Sequence, residues 1–248
     1  MKQIKKKLNI GVIRFPGSNC DFDALNFFKK FGHAAEFVWY KETTLPRYDV
    51  VVLPGGFAFG DRVYAKATAQ YRIDPGALAV RSPVLKAIKR AAHAGMPMLG
   101  ICNGFQILVK AGLLPGNLIQ NKSKKFFCDN VDCKVVGASF FGDHSMLGKT
   151  FNVPVAHGYG NYVIAKNQLK KLEQNGQIFL KYAKFNPNGS ASHIAGVANK
   201  QKTIFGMMPH PERSPDGAFF MQAIEKYVEG ISYPKTSCRG NGKRAYEL

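Results

Sequence analysis

From Leu8 to Ile13 the chain reads LNIGVI, a short β-branched apolar run typical of strands buried on both faces, and the turn-rich PGSNCD follows it. Phe22, Leu25, Phe28 and Phe31 then recur at three-residue steps up to Gly32, the pattern of a helix with a glycine stop. Glu36 to Tyr40 and Asp49 to Leu53 read as two further strands, the second running into Pro54-Gly55-Gly56. Ser82-Pro83 predicts a helix start with a capping hydroxyl and a first-turn proline, and Val84, Leu85, Ile88, Ala91 and Ala92 form its apolar stripe before Gly95. Met96 to Ile101 predicts another strand, and Phe105 to Ala111 another helix. Strands alternating with helices of this length predict an α/β fold with a mostly parallel central sheet covered by helices on both faces.

The second half changes texture. Val131 to Val136, Phe151 to Val155, Gln177 to Tyr182, Ile194 to Ala198 and Thr203 to Met208 are short strands between Gly, Asn and Pro turns, so a smaller antiparallel element is expected there. A last helix runs from about Gly217 to Val228. Beyond Gly230 the basic segment ISYPKTSCRGNGKRAYEL has no periodicity, which divides the chain into one domain over residues 1–230 and a C-terminal tail over 231–248.

Composition changes this picture in one respect. The 248 residues include 35 Lys and Arg against 16 Asp and Glu, a net charge of +19. The excess lies in short separate clusters, Lys5 to Lys7, Lys122 to Lys125, Lys170 with Lys171, and Arg239 to Arg244, without a zinc-finger, RNA-recognition or helix-turn-helix signature. That distribution argues against nucleic acid and fits solvated lysine faces or an acidic protein partner. No apolar run has membrane-spanning length, and the opening MKQIKKKLNI lacks the features of a secretion signal, so a cytoplasmic protein is expected. Five cysteines, at 20, 102, 128, 133 and 238, are an odd and scattered set that reads as individual thiols.

The sharpest local signal is Leu99-Gly100-Ile101-Cys102-Asn103-Gly104-Phe105-Gln106, a buried strand passing through a cysteine directly into a helix. In the analogous G-x-S-x-G turn the nucleophile sits on strained backbone, and flanking glycines give clearance that a Cβ would remove. The helix amino end favours a thiolate at Cys102. On this pattern alone, a core cysteine that happens to lie between glycines stays open. Among six histidines only His210, in Met208-Pro209-His210-Pro211-Glu212, has a carboxylate placed to orient it. In an extended segment residues two apart share a side, which suggests a Cys102-His210-Glu212 triad. Gly55 and Gly56, after a strand, form either a tight turn or, with the N–H of Asn103, an oxyanion site.

Taken in order, PGSNCD, LPGGFAFGD, GICNGFQIL, LLPG, HGYGNYV, NPNGS, IAGV and MMPHPER, spread over about Asn9 to Val228, resemble the glutaminase components of phosphoribosylformylglycinamidine synthase, a branch of the class I, triad-type glutamine amidotransferases. The resemblance implies a flavodoxin-like fold and a glutaminase of purine biosynthesis. It would hydrolyse glutamine through a Cys102 thioester and deliver ammonia to an ATP-dependent synthetase partner, which converts formylglycinamide ribonucleotide into formylglycinamidine ribonucleotide. It further implies His210 and Glu212 as the other triad members, Gly56 and Asn103 as oxyanion donors, and Gln106 with His157, Gly158 and Tyr159 around the glutamine. It implies no cofactor or metal in this chain, ATP and Mg on the synthetase, and room for a small bridging subunit.

The chain departs from that pattern in three places. Tyr159 stands where the family usually has glutamate, Arg62 to Arg81 is longer than in compact members, and the basic tail extends past the family's final helix. Cys20 is expected to cap the first helix, Cys128 and Cys133 lack a zinc-ligand pattern, and His33, His93, His144 and His193 have no partners in sequence. Two other functions fit parts of the chain: a different cysteine hydrolase of the same superfamily, which usually draws its histidine from the position after the cysteine, here Asn103, and a basic binding module that retains the fold.

Overall fold

The computed structural model describes residues 6–60, 75–137 and 146–230; the tail and most of the Arg62 to Arg81 stretch lie outside them. The strands in chain order are β1 (Asn9–Arg14), β2 (Ala34–Trp39), β3 (Val50–Leu53), β4 (Met98–Ile101), β5 (Asn117–Ile119), β6 (Phe127–Val135), β7 (Thr150–His157), β8 (Asn161–Val163), β9 (Ile178–Tyr182), β10 (Ile194–Ala198) and β11 (Ile204–Met207). The helices are α1 (Asp21–Lys30), α2 (Pro83–His93), α3 (Asn103–Lys110), α4 (Lys166–Gln174) and α5 (Gly217–Gly230).

Nine strands form one sheet in the order β2-β1-β3-β4-β11-β10-β9-β6-β7. The first five are mutually parallel, with the flavodoxin-like order, and the remaining pairs are antiparallel. The expected antiparallel element is therefore mainly a continuation of the same sheet, beside a two-stranded β5-β8 ribbon. Every residue of β3, β4, β10 and β11 is buried, in keeping with their continuous apolar sequences, whereas β2 at the edge is half covered.

Several local expectations needed a tertiary correction. The Ser82 hydroxyl does not cap α2; it donates to the Ala79 carbonyl at 2.6 Å, while Pro83 takes the first turn. Phe22, counted in the apolar stripe of α1, is 52% exposed and instead meets Phe37 edge-on beneath the Arg14 guanidinium. Helix α4 gives no apolar period because its NQLKKLEQ face is polar and Leu172 is its one buried residue. Strands β5 and β8, three residues each, are too short to show a period. Of the long segment after Arg62, the described part, residues 75–81, packs on α3, where a Cβ on Gly76 would stand 3.1 Å from the Ile107 backbone. No described helix is long and apolar enough to cross a membrane.

Glycines in the core strands admit aromatic rings. A Cβ on Gly206 in β11 would lie 2.2 Å from Phe105 Cδ2, and one on Gly196 in β10 would lie 2.6 Å from Phe179 Cζ. Both rings are fully buried and rigidly packed. Gly206→Ala is expected to cost about 2 kcal/mol by overpacking, seen in a thermal scan as a fall in Tm of roughly 4–8 °C.

Candidate active site

Strands β4 and β11 are parallel neighbours, with Ile101 opposite Met207, so the residues that follow each emerge at the same carboxyl edge. Cys102 comes next after β4, and its N–H donates to the Met207 carbonyl at 2.8 Å. Its backbone adopts φ 49°, ψ −103°, a strained conformation for a residue with a side chain, and α3 starts immediately after it. The flanking glycines are required: a Cβ on Gly104 would lie 1.9 Å from the Leu53 carbonyl oxygen, and one on Gly100 would meet both Leu108 and the Gly104 backbone below 3 Å. The turn expected from G-x-C-x-G is thus present, and the open choice between core cysteine and strained elbow resolves toward the elbow.

His210 follows β11 and is 2% exposed. Its Nδ1 lies 2.7 Å from Glu212 Oε1, and its side chain is hydrogen-bonded with that of Cys102, whose sulfur also lies 3.8 Å from the Ala156 carbonyl oxygen in β7. The extended segment expected for these residues is not found. Pro211 to Arg213 form a short 3-10 turn, and it is this turn that brings the carboxylate back beneath the imidazole. The backbone N–H of His210 donates to Pro154 in β7 at 2.8 Å, which fixes the ring's approach from the antiparallel half of the sheet. Burial opposes a charged imidazole, but the Glu212 carboxylate and the hydrogen bonds outweigh it and hold the ring up to about 10.

The Gly55-Gly56 turn lies beside this line. A Cβ on Gly55 would stand 2.6 Å from His210 Cε1. Gly56 has φ +129°, and a Cβ there would lie 2.4 Å from the Asn19 nitrogen, so only glycine fits. Asn103 sits at the first turn of α3; its side-chain carbonyl accepts from Ala58 at 3.1 Å and its amide donates to Gln106 Oε1 at 2.9 Å. Gln106 in turn donates to the Tyr159 carbonyl at 2.7 Å. The Gln106 amide is therefore engaged in bracing the 157–160 loop against α3.

His157 ends β7, and Gly158 and Tyr159 form the bend after it. His157 is buried, with Nδ1 3.2 Å from Asn121 Oδ1 and Nε2 3.4 Å from Asn188 Nδ2. An amide oxygen can only accept and an amide nitrogen only donate, so the ring is the neutral Nδ1–H tautomer. Burial pushes it down to about 4, and nearby His210 acts in the same direction. Asn121 Oδ1 also accepts from Gly160, and Ser190 donates to Asn188 at 2.6 Å. Asn121, Asn188 and Ser190 thus shape the loop. Asn188 and Ser190 belong to the NPNGS motif and Asn121 to the loop after β5, and no local pattern in the chain links those two loops to each other or to His157.

Among the isolated residues, Cys133 is buried inside β6, and His33 bridges the Leu8 N–H and Glu225 within the core. Cys20 occupies the residue before α1 but makes no capping hydrogen bond. Its sulfur lies instead within 4.8 Å of ligand atoms of His210 and Glu212, a placement that no local pattern in the chain signals.

A cysteine on a strained strand-to-helix turn, facing a buried histidine–glutamate pair at the carboxyl edge of a flavodoxin-like sheet, is the arrangement of the triad-type glutamine amidotransferases, and residues 7–231 match the CobB/CobQ-like glutamine amidotransferase domain family. The phosphoribosylformylglycinamidine synthase subunit PurQ of Alkaliphilus metalliredigens (strain QYMF) is 42% identical over 232 residues, 90% of this chain and 98% of its own length. A solved structure of PurLQS from Thermotoga maritima includes a chain that is 36% identical, with a TM-score of 0.76 over 90% of this chain and 100% of that one. A putative GMP synthase subunit from Thermoplasma acidophilum shares the fold at 15% identity, with a TM-score of 0.62 over 90% of this chain and 95% of that one. The chain belongs to the PurQ family of phosphoribosylformylglycinamidine synthase subunits within the glutamine amidotransferases.

The two buried histidines give stability opposite pH dependences. His210 binds its proton more tightly folded than unfolded, so its contribution is complete below its ordinary 6.5 and is lost as pH rises toward about 10. His157 must be neutral in the fold, so its contribution is present above 6.5 and is lost as pH falls toward about 4. Melting curves taken across pH should show the alkaline decline flattened in His210→Gln and the acid decline flattened in His157→Gln, each relative to the unsubstituted chain.

Proposed function

We propose that the chain is the glutaminase subunit of a cytoplasmic phosphoribosylformylglycinamidine synthase, with Cys102, His210 and Glu212 as its catalytic residues. The observation that carries the reading is the single buried line from Cys102 through His210 to Glu212 at the strained end of β4. An imidazolium beside the sulfur stabilises negative charge on it, and that sulfur attacks the carboxamide carbon of glutamine. The oxyanion formed is met by the backbone N–H groups of Gly56 and Asn103, Gly55 providing the turn. His210 gives its proton to the amide nitrogen, the C–N bond breaks, and ammonia leaves a thioester on Cys102. Water then loses a proton to His210 and adds to the thioester carbon; the C–S bond breaks and glutamate departs. Glu212 holds the ring in one orientation and balances its charge through both halves of the cycle.

His157, neutral and fixed by two asparagines, serves as a strut for the Gly158-Tyr159 segment, which forms one wall of the glutamine site with Gln106 as its brace. With Tyr159 in place of the family's usual glutamate, any contact made there is by a phenol. Ammonia passes to a synthetase subunit that holds ATP and Mg, with a small third subunit bridging the two. The likeness to the PurLQS structure supports that assembly. This chain itself is expected to need no metal or cofactor for the glutaminase steps.

The test uses the assembled complex. Cys102→Ala should abolish glutamine-dependent product formation by more than about 1,000-fold while leaving ammonia-dependent synthesis within about twofold. A glutamine-mimicking alkylator should label Cys102 and be blocked by glutamine. Glu212→Gln should lower the glutamine-dependent kcat by roughly 10- to 1,000-fold by unfixing the imidazole. Retained glutamine use by the Cys102→Ala complex would overturn the reading.

A further inference from the structure

Among the described residues, Cys20 is the one buried thiol next to the triad that the reaction above leaves without a task. Its sulfur is within 4.8 Å of ligand atoms of both His210 and Glu212, and it lies 3.2 Å from where a Cβ on Gly55 would be, so thiol and imidazole both border the Gly55 turn. The Cys20 backbone N–H donates to the Gly55 carbonyl at 3.3 Å. Around it, the loop from Pro16 to Cys20 grips the 55–60 segment: Phe57 donates to Gly17 at 2.8 Å and Phe59 to Pro16 at 2.6 Å. On the other side, Arg213 donates to Asp23 through Nε at 2.9 Å, tying the first turn of α1 to the turn that carries Glu212.

Glu212 has one oxygen committed to His210, whereas Oε2 is buried and has no hydrogen-bond partner among the described residues. Leaving a carboxylate oxygen without a donor in a dry site is costly. Burial pushes the Cys20 thiol up to about 12, so it keeps its proton and offers a weak S–H donor and an uncharged, polarisable surface. The same three residues have the donor types of a soft-metal site. Their spacing argues otherwise, because His210 Nδ1 and Glu212 Oε1 are 2.7 Å apart, closer than the roughly 3.3 Å separating two such donors around a tetrahedral zinc.

We propose that Cys20 is a positioning residue for the glutaminase reaction: its thiol fills the space behind His210 and faces the buried carboxylate of Glu212, while its main chain holds the Gly55-Gly56 turn, so that one residue sets the general acid–base pair and the oxyanion side together. The inference rests on the proposed reaction of Cys102. Removing the sulfur leaves both catalytic partners in place but free to shift, and an offset below an ångström at the imidazole is enough to slow proton transfer.

The experiment compares Cys20→Ala, Cys20→Ser and Cys102→Ala in the complete complex, with kcat and KM for glutamine, the ammonia-dependent rate and Tm measured for each. Cys20→Ala should lower the glutamine-dependent kcat roughly tenfold with KM within about twofold, and leave the ammonia-dependent rate unchanged. Cys20→Ser, which keeps a small donor at the same place, should recover to within about threefold of the parent. The proposal is overturned if Cys20→Ala keeps a kcat within about twofold of the parent, if its loss appears equally in the ammonia-dependent rate, or if serine restores nothing despite an unchanged Tm. Failure of the underlying reaction would look different, because glutamine use would then survive Cys102→Ala.

Discussion

Parallel pairing of β4 with β11 is the constraint from which the site follows. With Ile101 opposite Met207, the chain one residue past β4 and the chain three residues past β11 must leave the sheet side by side. The hydrogen bond from the Cys102 N–H to the Met207 carbonyl extends that pairing by one step, to the strained residue itself. The cost of φ 49° at Cys102 is therefore borne by two fully buried strands and by a helix that packs across them, not by a loop free to relax. Shifting the register by one residue would turn the sulfur to the opposite face.

Around this fixed point the protein uses two kinds of support. On the parallel side the supports are steric: Gly104 against Leu53, Gly56 against Asn19, and Gly55 against the His210 ring leave no room for a side chain, so backbone segments approach closely and hold each other. On the antiparallel side they are polar. Asn121, Asn188 and Ser190 bind His157 and the residues after it through hydrogen bonds whose donors and acceptors match in only one tautomer. Gln106 joins the two systems, since it receives from Asn103 near the first and donates to Tyr159 in the second. Rigidity of this kind suits chemistry in which one imidazole must serve both a leaving amine and an entering water.

The strands of the parallel half were legible because each is an apolar run bounded by turn residues, and the elbow was legible as one of two readings, because glycines two residues on either side of a cysteine leave the clearance a strained turn needs. The pairing of His210 with Glu212 was legible as proximity but not as geometry: the sequence suggested an extended segment, and a 3-10 turn makes the contact. Helix α4 was hidden by its polar face, and Phe22 was misplaced in the core because periodicity cannot tell a covered position from one that an arginine shields at the surface.

Local residue order determined the elements, the strained cysteine turn and the family of this protein, since those depend on neighbours a few positions apart. Only the tertiary structure decided that a histidine 108 positions beyond the cysteine meets it, that Cys20 lies behind that histidine instead of capping a helix, and that two asparagines from separate loops fix His157 as neutral. The physical reason is that these are relations between backbone segments far apart in the chain. Sheet order and burial set them, and neither is encoded in any short window of sequence.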